Sequence, residues 1–301
     1  MQDIAKLVLI PVLMMLGIVL RWARVGIKAR HLEFLIIYFA APALLFTEAM
    51  KIELNPPSFG GLIEISLAYM GLCFSASYLL SRGLSSRERG TVVFNSTFFN
   101  SMFLPFPLIY AFYGDLSAAV LFSVPVAIVH NTIGIFLASY WGHGKVGRNV
   151  LVRAITYPPL VGFFVGFLAA PIVPEFVSTT AFDALRYIGI SSVYLSLLFV
   201  GLVIPISRDS LFILRNQVSR LITVFRTVVS PMMALILILL TNPWGVAKET
   251  VIIMSLMPPA FTNMIITSRF GLDVKATSQS IFLPTFLSIG IVFALKFFAL
   301  I

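Results

Sequence analysis

Charge is what this chain has least of. Only 11% of its 301 residues are Asp, Glu, Lys or Arg, against about 25% in an ordinary soluble domain. So little charge cannot cover a water-facing surface of this length, which excludes a soluble enzyme and a disordered protein alike. Cysteine is nearly absent as well. The single Cys73 can form no internal disulfide, so a disulfide scaffold is excluded, and its place in the apolar run 62–80 reads as that of a small buried hydrophobe. The histidines His31, His130 and His143 form no metal-ligand spacing with it. There is no phosphate-binding glycine–lysine loop, which weighs against an ATP-driven pump. Nor is there a carboxylate pair suited to holding Mg²⁺ against a diphosphate, which weighs against a membrane prenyltransferase. No cofactor and no metal are expected.

What is present is apolar: 59% of the residues are hydrophobic and the mean hydropathy is +1.01. A bilayer crossing takes about 20 apolar residues. Apolar runs bounded by charge or by Pro/Gly clusters give ten candidate helices, at 4–21, 32–50, 59–80, 91–113, 116–141, 150–170, 182–205, 216–240, 246–268 and 276–300. A membrane barrel would alternate polar and apolar positions, and stretches such as Leu195 to Ile204 do not. The expectation is an all-α polytopic membrane protein. Asp3 before the first run, with Arg21 and Arg24 after it, suggests a retained helix rather than a cleaved signal.

The formal charge of +9 is a matter of orientation in the lipid bilayer rather than of nucleic acid. Of the 21 Lys+Arg, fifteen lie in or beside the loops after the odd-numbered runs. Only Lys6, Lys51, Arg186 and Lys248 lie on the opposite side, while Arg226 and Lys296 fall within runs. The positive-inside rule then makes the odd loops cytoplasmic and sets both termini outside, in a multi-pass protein of the cell membrane.

The runs divide into two fives, 1–141 and 150–301, across a basic hinge at Lys145 and Arg148. A five-helix unit has odd parity, so a second copy enters the membrane the other way up, which is the inverted-repeat plan of many secondary transporters. Two echoes support it. The fourth run ends Tyr113-Gly114-Asp115 and the ninth ends Phe270-Gly271-Leu272-Asp273; the fourth carries Pro105 with Pro107, the ninth Pro258-Pro259. Proline inside a helix removes a backbone hydrogen bond, and lipid tolerates the freed groups only where protein or a watery cavity satisfies them. Beside these prolines lie Asn95, Ser96, Thr97, Asn100 and Ser101 in one run and Thr262 and Asn263 in the other. One reading is two broken helices crossing near the midplane, with half-helix N-termini turned toward a bound anion. The other is ordinary proline kinks with polar side chains joining helices.

Several segments resemble the auxin efflux carrier family. Asn100-Ser-Met-Phe-Leu-Pro-Phe-Pro107 is similar to that family's fourth-helix signature, and Met257-Pro-Pro-Ala-Phe-Thr-Asn263, ending at Phe270-Gly271, to its ninth-helix signature. Pro42-Ala-Leu-Leu-Phe46, His130-Asn131 and Tyr157-Pro158-Pro159 resemble its motifs in the second, fifth and sixth helices. The matches run in order from about 40 to 285. Family glycines around the fourth-helix break appear here as Phe99, Met102 and Pro105, and Asn263 stands one place later than the family's asparagine, with Thr262 in its slot. The resemblance implies ten helices in two inverted five-helix repeats, and a scaffold half and a transport half. It places a small organic anion, such as a dicarboxylate or an auxin-like acid, at the crossing of the fourth and ninth helices. Asn95, Asn100, Ser101, Thr262 and Asn263 would bind it, and Pro105, Pro107, Pro258 and Pro259 would break the helices.

Ionisable residues within apolar runs are functional hypotheses by default. Glu64 reads either as a proton-coupling carboxylate or as a residue reaching water at the outer interface. Arg226, five residues before Pro231, could hold an anion or snorkel to the cytoplasmic face. His130 beside Asn131 could shuttle protons or simply pack. Protons or sodium are both admitted as coupling ions, and a homodimer is compatible with the sequence. A passive pore and a non-transporting membrane receptor are the alternatives on the same scaffold.

Overall fold

The computed structural model describes residues 2–26, 28–52, 56–143, 152, 156–206, 216–243, 245–298 and 300–301. The hinge residues Lys145 and Arg148, the beginning of the sixth run, and Arg153, Arg208 and Arg215 of the charge count lie outside the described residues. Among those described there is no strand, and the helices follow the apolar runs. They are α1 (Gln2–Trp22), α2 (Ala29–Lys51), α3 (Pro56–Leu80), α4 (Ser86–Thr97), α5 (Pro105–Tyr113) and α6 (Ser117–Trp141). The second half gives α7 (Pro158–Ala169), α8 (Thr180–Val203), α9 (Gln217–Thr241), α10 (Val246–Leu256), α11 (Thr262–Phe270) and α12 (Val274–Phe297). Among the described residues six segments are long and apolar enough to cross a membrane by themselves: α2, residues 61–80 of α3, α6, α8, α9 and α12.

The fourth and ninth runs are not continuous helices. Each is a pair of half-helices separated by an extended segment, 98–104 between α4 and α5 and 257–261 between α10 and α11. The causes are local. Met257 precedes Pro258, whose ring disfavours the helical conformation of the residue before it, and Met257 sits at φ −66°, ψ 143°. Pro105 opens α5 at its first position, where the missing N–H costs nothing. The second half-helix of each pair stops at a glycine in the left-handed region, Gly114 (φ 69°) after α5 and Gly271 (φ 75°) after α11. The two aspartates of the sequence echo serve the next helices: Asp115 Oδ1 accepts from Ser117 N at 3.0 Å, and Asp273 Oδ1 from Ala276 N at 2.9 Å.

Helices from both halves of the chain mix in two packed groups. One contains α1, α2, α7 and α8; α3 to α6 and α9 to α12 form the other. The first is held by close backbone approach. Gly162 and Gly166, one turn apart on α7, lie so near α2 that a Cβ on either would stand 2.4 Å from the carbonyl oxygen of Pro42 or Phe46. The groups meet where α5 touches α1 and α8, and where α6 touches α2.

The crossing of two broken helices

The two extended segments cross and pair. Phe99 and Pro259 form an isolated antiparallel bridge. Asn100 N donates to Pro258 O at 2.8 Å, and Ala260 N to Phe98 O at 3.2 Å. Main-chain groups freed by the breaks thus satisfy one another, as a non-aqueous environment requires.

The sequence-predicted polar residues gather here with unequal freedom. Asn263 is fully buried; its Nδ2 donates to Asn95 Oδ1 at 3.2 Å and Phe98 O at 2.8 Å. Asn95 Nδ2 donates to Thr91 O at 2.9 Å and to Thr277 Oγ1 at 3.0 Å. Both amide nitrogens are therefore occupied in tying α4, α11 and α12 together. Asn100 differs: its Oδ1 accepts from Phe103 N at 3.0 Å and Met102 N at 3.4 Å, capping the turn that leads into α5. Its Nδ2 is buried without a partner among the described residues, as are Ser96 Oγ and Thr97 Oγ1. Ser101 and Thr262 are half-buried, and Ser101 O accepts from Ser123 Oγ at 2.7 Å. His130 lies beside Asn263 and stacks on Phe98, ring centroids 4.8 Å apart. Asn131 Nδ2 donates to Ala127 O within its own helix at 2.8 Å.

Arg226 does not snorkel. It is fully buried on a π-helical turn of α9 (Phe225–Val229) and reaches into the crossing. Nε donates to Met257 O at 2.8 Å; Nη1 to Ser96 O and Tyr69 OH, both at 3.2 Å; Nη2 to Ser255 O at 3.2 Å and Met254 O at 3.5 Å. The guanidinium carbon stands 4.7 Å from the centre of the Phe99 ring. Inserting an arginine at mid-membrane costs about 2.5–3.5 kcal/mol on insertion scales. The acceptors that offset this include carbonyls at the C-terminal ends of α4 and α10, where the helices' own N–H groups run out; Met254 O also accepts from Met257 N at 3.2 Å. Tyr69 and Ser230, which hydrogen-bond each other, complete the shell, with Ser230 Oγ donating to Ser255 O at 2.7 Å.

Glu64 is exposed and lies away from the crossing, on the wall of a cavity of about 970 Å³ that also bears Lys51, Asp115, Leu121, Leu237 and Asn242. Glu48 is buried, paired with Lys51 at 2.7 Å and accepting from Ser117 Oγ at 3.2 Å. Between the two helix groups, beside the crossing, Ile36, Met102, Phe103, Phe106, Ser192 and Ser196 close on a gap of about 10 Å³. Sequence reasoning did not select Thr277, although the polar stretch Thr277-Ser-Gln-Ser280 at the start of an apolar run was a visible signal. Tyr69 and Ser230 gave none.

Among the described residues the chain is all-helical, with six segments long and apolar enough to cross a membrane and two pairs of half-helices that cross, the make-up of a polytopic membrane protein. The chain belongs to the membrane transport protein family, whose profile matches residues 3–295, in keeping with the auxin efflux carrier resemblance. It is 26% identical over 288 residues to an uncharacterized transporter of Methanothermobacter thermautotrophicus, covering 92% of each chain. It is 23% identical over 279 residues to an uncharacterized transporter of Methanocaldococcus jannaschii, covering 88% of this chain and 87% of that one.

Proposed function

We propose that this protein is a secondary transporter of small organic anions, with the substrate carboxylate held at the crossing of the α4–α5 and α10–α11 pairs. In this reading the chain makes ten spans, as two inverted five-helix repeats, 1–141 and 150–301, in the cell membrane with both termini outside. The observation that carries it is the Asn100 amide: a buried donor with no partner among the described residues, on the turn leading into α5. An unpaired buried donor costs about 1–3 kcal/mol, and an anion would relieve it. The adjoining N-terminal ends of α5 and α11 add partial positive charge. The group of α3–α6 and α9–α12 would rock against α1, α2, α7 and α8, opening the gap at Phe103 and Ser196 to each side in turn.

Uptake of labelled dicarboxylates and indole acids into proteoliposomes, under imposed proton and sodium gradients, tests the reading. Saturable uptake is expected, and Asn100→Ala is expected to lose it while keeping the wild-type elution profile in detergent. Binding without uptake would sink the transporter reading. Uptake unchanged in Asn100→Ala would remove that residue from the site.

A further inference from the structure

The guanidinium of Arg226 has five N–H groups, and the crossing supplies an acceptor for each: Met257 O, Ser96 O, Tyr69 OH, Ser255 O and Met254 O. With Phe99 against the group and none of its surface exposed, a carboxylate could reach it only by displacing those bonds. Arg226 is therefore not placed as a substrate ligand. The identity of its partners suggests another part. Four are main-chain carbonyls, three at the C-terminal ends of α4 and α10 and one just beyond, where each helix carries about half a negative charge. The fifth is a phenol oxygen. Unwound carbonyls and half-helix C-termini are the oxygen set with which broken-helix carriers coordinate a coupling sodium ion. Among the described residues no carboxylate lies within ion-pair distance of Arg226, so the helix ends themselves are its counter-charge.

We infer that Arg226 is a built-in counter-cation: its guanidinium stands where an alkali-metal ion would bind, neutralises the C-terminal ends of α4 and α10, and leaves the positive ends of α5 and α11 to the anion. The inference rests on the transporter reading above and adds to it that no metal cation accompanies the substrate through this site. Arg226 is a positioning residue, acting through the two half-helices.

Two readouts test it, one independent of transport. In detergent, the melting temperature of the wild type is expected to be the same in sodium, potassium and choline chloride. Arg226→Ala is expected to melt lower in choline and to recover, dose by dose, with sodium or millimolar guanidinium chloride, because a cation that binds only the folded form stabilises it by mass action. In proteoliposomes, wild-type uptake of malate or indole-3-acetate is expected to be unchanged when sodium is replaced by choline. Arg226→Ala is expected to lose at least tenfold in choline and to regain uptake with the same cations. A wild type that needs sodium for either readout, or an Arg226→Ala protein indifferent to every cation, overturns the inference. Should Arg226→Ala fail to fold, Arg226→Lys and Arg226→Gln decide: charge retention is expected to preserve the fold and uptake in the first and not in the second, and equal behaviour overturns the inference. Absence of uptake of any acid by the wild type would defeat the transporter reading while leaving the melting comparison intact.

Discussion

A buried amide has two hydrogens and one oxygen to place, and the three asparagines of the crossing place them differently. Asn95 and Asn263 are joined by the 3.2 Å bond between them and anchored by Thr277 and by Phe98 O. They are the structural pair, and their removal is expected to register in stability. Asn263→Ala should cost about 1–3 kcal/mol through the groups it leaves unpaired. Asn95→Ala should cost a similar amount, and the double variant less than the sum of the two, since the partners form one network. Thermal melting in detergent checks all three. Asn100→Ala also uncaps Phe103 N and Met102 N, so some melting temperature goes with it, but its uptake is expected to fall far below that of Asn263→Ala at a similar loss of stability. If Asn263→Ala melts like the wild type, the division of labour among these amides is wrong.

At the scale of the element, most of the architecture can be read from apolar runs, because a lipid-facing helix must be apolar along its whole length. The breaks are visible too, since Pro105 and Pro258 each announce a local conformational constraint. The two aromatic-Gly-Asp echoes are paired left-handed caps followed by a cap on the next helix, so local rules account for them fully. What the runs conceal is tertiary. The partners of Arg226 lie 28 to 157 residues away along the chain, and three π-helical turns, at Ile36–Ala40, His130–Gly134 and Phe225–Val229, interrupt the 3.6-residue periodicity used to assign faces. That is why the sequence left Arg226 open between holding an anion and snorkelling, and offered no packed carbonyl shell. The contact of α2 with α7 yields a prediction at this scale. Gly162→Leu would drive a side chain into the Pro42 carbonyl, where even a Cβ would stand 2.4 Å away. Loss of the monodisperse peak on size exclusion is expected, whereas Gly61→Leu, with open space around it, should elute like the wild type.

For the whole molecule, alternating access requires the gap between the two helix groups to open. Ser196, buried on α8 at that gap, reports on it. Ser196→Cys is expected to react with a small maleimide at a rate that changes several-fold on adding substrate, while the native Cys73, fully buried, stays unlabelled. A rate indifferent to substrate would argue for a rigid scaffold. The mixing of the two chain halves in each helix group also bears on biosynthesis. As the chain leaves the ribosome, α1 and α2 enter the membrane long before α7 and α8 exist to cover them. Asn95 must wait for Asn263, 168 residues downstream, a delay of roughly 10–30 s at ~5–20 residues/s. For that interval a polar asparagine sits in lipid without its mate. The newborn first half is then expected to depend on whatever shelters unfinished helices at the site of insertion, and a chain truncated after α6 should be degraded rather than accumulate.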